Sequence, residues 1–478
     1  MTAPTADRPP PPAPPPARGS LALGWLLLLS LTHGLLWLSL LPPWQAPDEP
    51  KHFEYVRLLA ERPDLLAFAD SSAPADPELQ RWIIRSMDQQ RFWWYGHAPG
   101  YDAAHPPQSF QDIWVRGMHT ATYRSSPAYY LLAAALQPAD RLWGLYLARA
   151  LGLLLAGLAV LLIGLAAREL FPEAPLIRYG APALAALHPM AAFLSAGVNN
   201  DALANLLAAF AFFLLARLLA RGASPARLAL LLLAVAAAIL TKRTTAYLLP
   251  TLLVLLVALP AARTRRPALG LGLGALSALG LTGLVLGWLR AGGWVGLPQA
   301  TRFLLSRYFF NEPDQLDRIV RHLGTPGIGR IFLDQLIGMH RGFWGSFGWQ
   351  VLPLPGLLET LLAVVTAVAA LGILRRVLTG GDRPVQRAAL VSAAAAVALV
   401  IGAALAFFAA YLDQPYAPPP QGRYLFAAWG PVCLLLTAGL AAWLPPARQW
   451  AALKALMAGL LILDGVVLLG LVVPFYYR

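Results

Sequence analysis

The stretch LALGWLLLLSLTHGLLWLSLLPPWQAPDEPKHF, residues 21–53, decides the architecture of this chain. Residues 21–41 carry no formal charge and are long enough to cross a hydrocarbon core, which takes about 20 apolar residues in a helix. Pro42, Pro43 and Pro47 then break the helix, so Asp48 and Glu49, with Lys51, His52 and Glu54 behind them, stand where it leaves the bilayer. Arg8 and Arg18 precede the run, which is too long for a signal-peptide core and has no small-residue cleavage site. It reads as a retained signal anchor behind a disordered, proline-rich cytoplasmic tail, residues 1–20.

Composition agrees with this start. Apolar residues make up 58% of the chain and charged residues 13%, a balance that belongs to polytopic membrane proteins and not to soluble enzymes. A net charge of +13 would suggest nucleic acid in a soluble protein, but here the cations lie mainly in short loops between apolar runs and set orientation. No nucleic-acid partner is expected. Cys433 is the single cysteine, so neither an intrachain disulfide nor a cysteine metal site can form.

Eleven spans are expected, over 21–41, 145–167, 177–196, 200–220, 226–241, 245–261, 268–289, 351–374, 388–411, 424–444 and 451–473. Loops carrying Arg217, Arg221 and Arg227, then Arg263, Arg265 and Arg266, then Arg375, Arg376, Arg383 and Arg387, then Arg448 and Lys454 fall on one side, which the positive-inside rule makes cytoplasmic together with the N-terminus. The other side receives a large first loop (43–144), a second loop (290–350), the Asn199-Asn200-Asp201 turn and the Lys242-Arg243 turn. Asp48, Glu49, Glu54, Glu61, Asp64, Asp70, Asp76, Glu78, Asp88, Asp102 and Asp112 all lie in that first loop. Pro127–Gln137 reads as an apolar helix on the membrane surface. No phosphate-binding glycine loop follows a strand, which excludes a soluble nucleotide domain.

Four polar clusters on the acidic side can do chemistry. Asp48, next to low-dielectric material, can have its pKa raised and act as a general base, or it can simply cap the following helix. Asp48, Glu49 and His52 share a helical face, as support for the base or as a divalent-metal ligand set. Asn200 and Asp201 are turn formers and also offer an amide and a carboxylate to a polar ligand. Lys242 and Arg243 run against the charge rule, and Arg423, followed by Tyr424, presents a planar fork suited to phosphate. Arg341–Trp349, which includes Trp344, reads as a glycine-rich re-entrant or interfacial hairpin. Carboxylates, amides and cations on one membrane face suit departure of a phosphate-linked leaving group.

These residues, in this order, resemble the bacterial DUF2142 membrane proteins and, more broadly, the GT-C superfamily of lipid-linked-sugar glycosyltransferases. The resemblance rests on residues 42–53, Pro127-Ala128-Tyr129-Tyr130, Leu187-His188-Pro189, Asn199–Ala202, Thr241-Lys242, Phe343–Trp349 and Gln421-Gly422-Arg423-Tyr424, spread over roughly residues 20–445. Relatives often carry His-Gln-Pro-Pro where this chain has Arg124-Ser125-Ser126-Pro127. The resemblance implies an all-α polytopic GT-C fold with juxtamembrane helices in its first extracytoplasmic loop, similar to protein O-mannosyltransferases and aminoarabinose transferases. It also implies an inverting transfer of sugar from a polyprenyl-phosphate donor at the cell membrane, with Asp48 and Glu49 at the catalytic position. Lys242, Arg243, Arg423 and Tyr424 are then expected on the donor phosphate, and His52, Asn200, Asp201 and Trp344 on substrate. A divalent metal remains open as cofactor. A transporter or flippase of lipid-linked sugars, or a non-catalytic envelope scaffold, are the alternatives.

Overall fold

A computed structural model describes residues 18–67, 75–95, 102, 104–113, 125–252, 254, 298, 315–379, 381–414 and 419–478. Apart from one two-stranded hairpin, the regular elements among them are helices. Among the described residues, seven helices are long and apolar enough to cross a membrane, matching seven of the expected spans. They are Leu21–Leu40, Arg141–Leu170, Asp201–Arg221, Gly356–Thr379, Pro384–Ala409, Gly422–Ala441 and Pro446–Tyr477. An eighth expected span, Pro225–Thr241, forms a shorter apolar helix. The expected span 245–261 is described only through residue 252 and at 254, and that at 268–289 lies outside the described residues, as do most of the N-terminal tail and the start of the second loop.

The expected span 177–196 is not one helix. It splits into Pro175–Ala186 (α6) and Pro189–Ser195 (α7), because the proline ring disfavours helical geometry in the residue before it and His188 is extended, at φ −75° and ψ 115°. The break strands carbonyls inside the bundle, where each must find a partner. Ala186 O finds His33 Nδ1, 2.9 Å away, on the first helix α1 (Arg18–Leu40).

Against the two halves of this break pack α1, α5 (Arg141–Leu170) and the later helices α14 (Trp429–Ala441) and α15 (Gln449–Val467), while α8 (Asp201–Arg221) packs on α5, and α12 (Gly356–Thr379) and α13 (Pro384–Ala409) pack on α14. Small residues set the closest crossings, as expected where lipid offers no hydrophobic drive between helices. At the α12–α14 crossing a Cβ on Gly372 would overlap Gly439 O. Outward faces are apolar: Leu357, Leu361, Val364, Leu371 and Leu378 of α12 are all exposed. The last helix continues through a π-turn at Leu468–Val472 into α16 (Val473–Tyr477), and that wider turn sits just where Pro474 lacks an N–H.

The first loop is a packed helical layer with its own core. Its helices are α2 (Glu49–Glu61), α3 (Pro77–Gln89) and α4 (Ala128–Ala134), and Trp44, Phe53, Ile83, Met87, Tyr129 and Tyr130 are buried between them and the start of α5. On α4, Tyr129 and Tyr130 point inward while Leu131 and Leu132 face out, the amphipathic pattern expected of a surface helix.

The second loop differs from its expected hairpin. Residues 341–344 complete α11 (Ile328–Trp344), which follows α10 (Gln315–His322), and the hairpin lies beyond it. Its strands β1 (Ser346–Phe347) and β2 (Leu352–Pro353) pair antiparallel, Ser346 with Pro353 and Phe347 with Leu352. Gly348 and Gln350, at φ 61° and 66°, turn the chain between them.

Candidate functional site

The segment between α1 and α2 is held by a buried ion pair that directs everything after it. Arg149, eight residues into α5 and wholly buried, donates from Nε to Glu49 Oε1 (2.8 Å) and from Nη2 to Oε2 (2.7 Å). Its remaining donors reach the carbonyls of Leu41 (2.8 Å) and Pro42 (3.0 Å). The amides of Trp44 (2.9 Å) and Val198 (3.1 Å) donate to the same carboxylate. Glu49 therefore has both oxygens saturated and is a clamp between the α1 exit and the α7–α8 turn. It stands in the expected catalytic pair by sequence but turns away from its neighbour.

Asp48 takes the opposite direction because its backbone is left-handed, φ 64° and ψ 1°, a conformation that Asp tolerates better than most residues. It occupies the N-cap position of α2 yet makes no side-chain cap bond, which leaves its carboxylate for long-range partners. Oδ2 accepts from Arg423 Nη2 at 2.6 Å, and Lys51 Nζ lies 3.4 Å from Oδ1. Burial alone would raise this carboxyl, but Lys51, Arg423 and His52 outweigh it and hold it far below the usual carboxylate range. The expected rise is thus a fall. As the structure stands, Asp48 is a paired anion of low basicity.

Around that pair the other expected residues divide. Lys242, just past α9 (Pro225–Thr241), binds Asp201 Oδ1 at 2.6 Å and stands with Lys51, Arg423 and Asp48 in electrostatic reach of His52. Tyr424 is in similar reach of Arg423, Asp48 and Asp201. Asn199 Oδ1, not Asn200, accepts from the Asp201 amide (2.9 Å), and the buried Asn200 Oδ1 has no partner among the described residues. Arg423 Nε and Nη1 are likewise buried without a partner. Buried donors and acceptors are nearly always paired, so the two orphan donors of Arg423 point to a polar ligand.

Arg243, by contrast, is exposed, and Trp344 is not brought to the cluster. Trp344 stacks on His188 (5.1 Å between centroids, 15° between planes) and donates to His340 Nε2 at 3.2 Å. Nor do Asp48, Glu49 and His52 converge. His52 Nδ1 lies 2.7 Å from the Tyr130 hydroxyl while Glu49 faces Arg149, and no three His, Cys, Asp or Glu side chains gather as a ligand set among the described residues. Burial keeps His52 well below its ordinary pKa, with Asp48 opposing and Lys242, Lys51 and Arg423 reinforcing, so it is neutral at pH 7.

What places Arg423 is a glycine. A Cβ on Gly422 would overlap the backbone of Gly342 and Phe343 in α11, so only glycine lets this turn lie against that helix. The buried Trp44 completes the wall: Trp349 Nε1 donates to its carbonyl at 3.0 Å, and its own Nε1 donates to Ser86 Oγ at 3.1 Å.

Three groups were missed in the sequence. Arg149 and His33 lie inside apolar runs, where an ionisable residue by itself signals a buried partner. Tyr130, the partner of His52, carries no such signal. His33 Nε2 meets Asp464 Oδ1 at 2.9 Å, and Trp37 Nε1 donates to the same oxygen at 2.9 Å.

A family model described as "Predicted membrane protein (DUF2142)" matches residues 31–430, a range that begins within α1 and ends at the first turn of α14 and so takes in every residue of the cluster. The chain belongs to the DUF2142 family. No curated protein matches it. The matched region unites the Glu49–Arg149 clamp, the Asp48–Arg423 pair and the Gly422 contact in one DUF2142 unit, while Asp464 lies beyond it.

Proposed function

We propose that this DUF2142 protein is an inverting membrane glycosyltransferase of the GT-C type, moving a sugar from a polyprenyl-phosphate donor to an extracytoplasmic acceptor in the cell envelope. The observation that carries the reading is the half-buried cluster at the exit of α1. There two carboxylates, Asp48 and Asp201, meet three cations, Arg423, Lys51 and Lys242, and Arg423 keeps two unpaired donors. Such donors suit a phosphate, since a guanidinium matches phosphate geometry bidentately.

In the proposed reaction the acceptor hydroxyl oxygen attacks the anomeric carbon from the face opposite the phosphate. The new C–O bond forms as the anomeric carbon–phosphate oxygen bond breaks, and the electron pair leaves on polyprenyl phosphate. Asp48 takes the acceptor's proton, a contribution of about 10²–10⁴-fold for a positioned base. Cations stabilise the charge developing on the departing phosphate, so no general acid is required. Asn200 and Asp201 line the acceptor side, and neutral His52, fixed by Tyr130, offers a hydrogen bond without adding charge. In this reading the cluster faces the extracytoplasmic side, supported by Asp201 opening α8 while Arg221 closes it at the opposite end, the arrangement the positive-inside rule favours.

Transfer of radiolabelled sugar from polyprenyl-phosphate sugars, by purified wild type and Asp48→Asn in liposomes, tests the proposal. Asp48→Asn should lose at least about 100-fold in rate; equal rates would remove Asp48 as the base. A second reading, transport of lipid-linked sugars, draws on the buried His33–Asp464 pair inside the spans, where ionisable groups commonly serve transport. Donor movement across the liposome without sugar transfer would favour it.

A further inference from the structure

A polar recess of about 310 Å³ lies at the α1 exit and shares no lining residue with the Asp48–Arg423 cluster. Clefts that hold small ligands start at about 300 Å³. Four tyrosines wall it: Tyr95 beyond α3, Tyr146 near the start of α5, and Tyr476 and Tyr477 of α16. Gln89 and Gln90, where α3 ends, add two carboxamides. Part of the lining is the clamped segment itself, because Leu41 and Pro42 face the recess while Arg149 holds their carbonyls. The Arg149 guanidinium also stands 5.6 Å from the centre of the Tyr146 ring, so the saturated clamp fixes this wall as well. Tyr476 and Tyr477 lie beyond residues 31–430, so the recess extends outside the unit that the family model matches.

We propose that this recess is a saccharide subsite that holds a short neutral stretch of a glycan. Its hydrogen-bonding groups select for a polyol. Tyr95 donates its hydroxyl to Tyr476 O and Tyr477 donates its own to Leu40 O, each at 3.0 Å. A phenol has a single O–H, so both oxygens can only accept from a ligand, whereas carboxamides donate and accept. Arg91 is the one cation on the recess among the described residues, and it is exposed. A phosphate dianion has no proton to give those oxygens and finds little charge to offset its own. Sugar hydroxyls donate to the tyrosines and accept from the carboxamides and Arg91, while the C–H faces of the sugar lie on the rings. An aromatic belt alone leaves tyrosine hydroxyls in the wet headgroup layer, but here two of them are spent on main-chain carbonyls and lock their rings as walls. The subsite goes beyond the transfer reaction and stands without it, since no residue of the reacting cluster takes part.

The test uses the full-length chain in nanodiscs of zwitterionic lipid, with maltotriose, mannotriose and triacetylchitotriose as neutral probes and saturation-transfer NMR as the readout. At least one trisaccharide should bind wild type. Tyr146→Ala should weaken that binding about tenfold and Gln89→Ala about threefold. Gln89 is exposed, so its variant should melt with wild type and guards against a fold lost at Tyr146. Adding inorganic phosphate should leave the sugar signal unchanged; loss of the signal would make the recess an anion site and overturn the assignment. Replacing part of the lipid with phosphatidylglycerol should also leave it unchanged, and a signal lost there would give the recess to a lipid headgroup instead. Folded wild type that binds none of the three sugars sinks the subsite, as does binding that neither variant weakens. Sugar binding in a protein that transfers no sugar from any donor would keep the subsite and remove the glycosyltransferase reading, and transfer without binding would do the reverse.

Discussion

Asp48 and Glu49 are adjacent in sequence and point to opposite sides of the α1 exit, Asp48 to Arg423 at 2.6 Å and Glu49 to Arg149 at 2.7 Å. The two ion pairs differ in completeness. Every oxygen of Glu49 and every nitrogen of Arg149 is engaged, whereas Arg423 has two idle donors. A saturated buried pair is a structural clamp, and an unsaturated one is poised for a ligand.

That difference gives the first prediction. Glu49→Gln should cost about 3–5 kcal/mol of stability, because it strands a buried guanidinium, while the paired change Glu49→Leu/Arg149→Met should recover much of the loss. Thermal unfolding in detergent checks this. Asp48→Asn, which keeps an oxygen for Arg423 Nη2, should lose less than half as much. If the two single variants melt alike, the division into clamp and ligand site fails.

Tyr130→Phe supplies the second prediction. It removes the hydroxyl 2.7 Å from His52 Nδ1 and frees the ring to turn. A net hydrogen bond contributes about 1 kcal/mol, so the fold should survive. Transfer should fall about tenfold, in kcat more than in KM, if His52 acts in the reacting cluster. An unchanged kcat confines the His52–Tyr130 pair to packing.

Gly422→Ala is the third. The added methyl cannot be accommodated by a side-chain shift, because what it meets is the backbone of Gly342 and Phe343. Overpacking of this kind costs about 1–3 kcal/mol and moves Arg423 away from Asp48. Gly459→Ala, in α15 with open space around it, is the control and should stabilise by up to about 1 kcal/mol. Donor binding should drop for the first and not for the second; equal behaviour would show that the α11 contact does not place Arg423.

Much of this arrangement was legible in the chain, for a physical reason. Long apolar runs and charges out of place against them, at Asp48, Lys242 and Arg423, stand out in any membrane sequence. The divergence of Asp48 and Glu49 was hidden, since it depends on one left-handed residue that helical spacing cannot anticipate. The break at His188 was carried by Pro189 and hidden by the unbroken hydrophobicity around it. Asp48's depressed pKa was half hidden, because Lys51, the larger lowering influence, stands three residues on, whereas Arg423 lies 375 residues away. Burial and Lys51 were the visible half of its environment.

The final prediction concerns Glu54, which the reaction does not use. It is buried on α2, with Oε1 2.6 Å from Gln80 Nε2 on α3, and burial pushes its carboxyl up to about 8, with Gln80 opposing and Asp76 adding to the rise. An unfolded glutamate titrates near 4.3. Between those values the folded state keeps a proton that the unfolded state has shed, so this residue's contribution to stability is fully present below about pH 4 and is lost as pH rises toward 8, levelling beyond it. Glu54→Gln removes the linkage while keeping an oxygen for Gln80. The melting temperature of wild type should therefore fall relative to the variant as pH is taken from 5 to 8. Parallel curves would show that Glu54 is already ionised in the folded protein, and that the α2–α3 layer is wetter than its packing indicates.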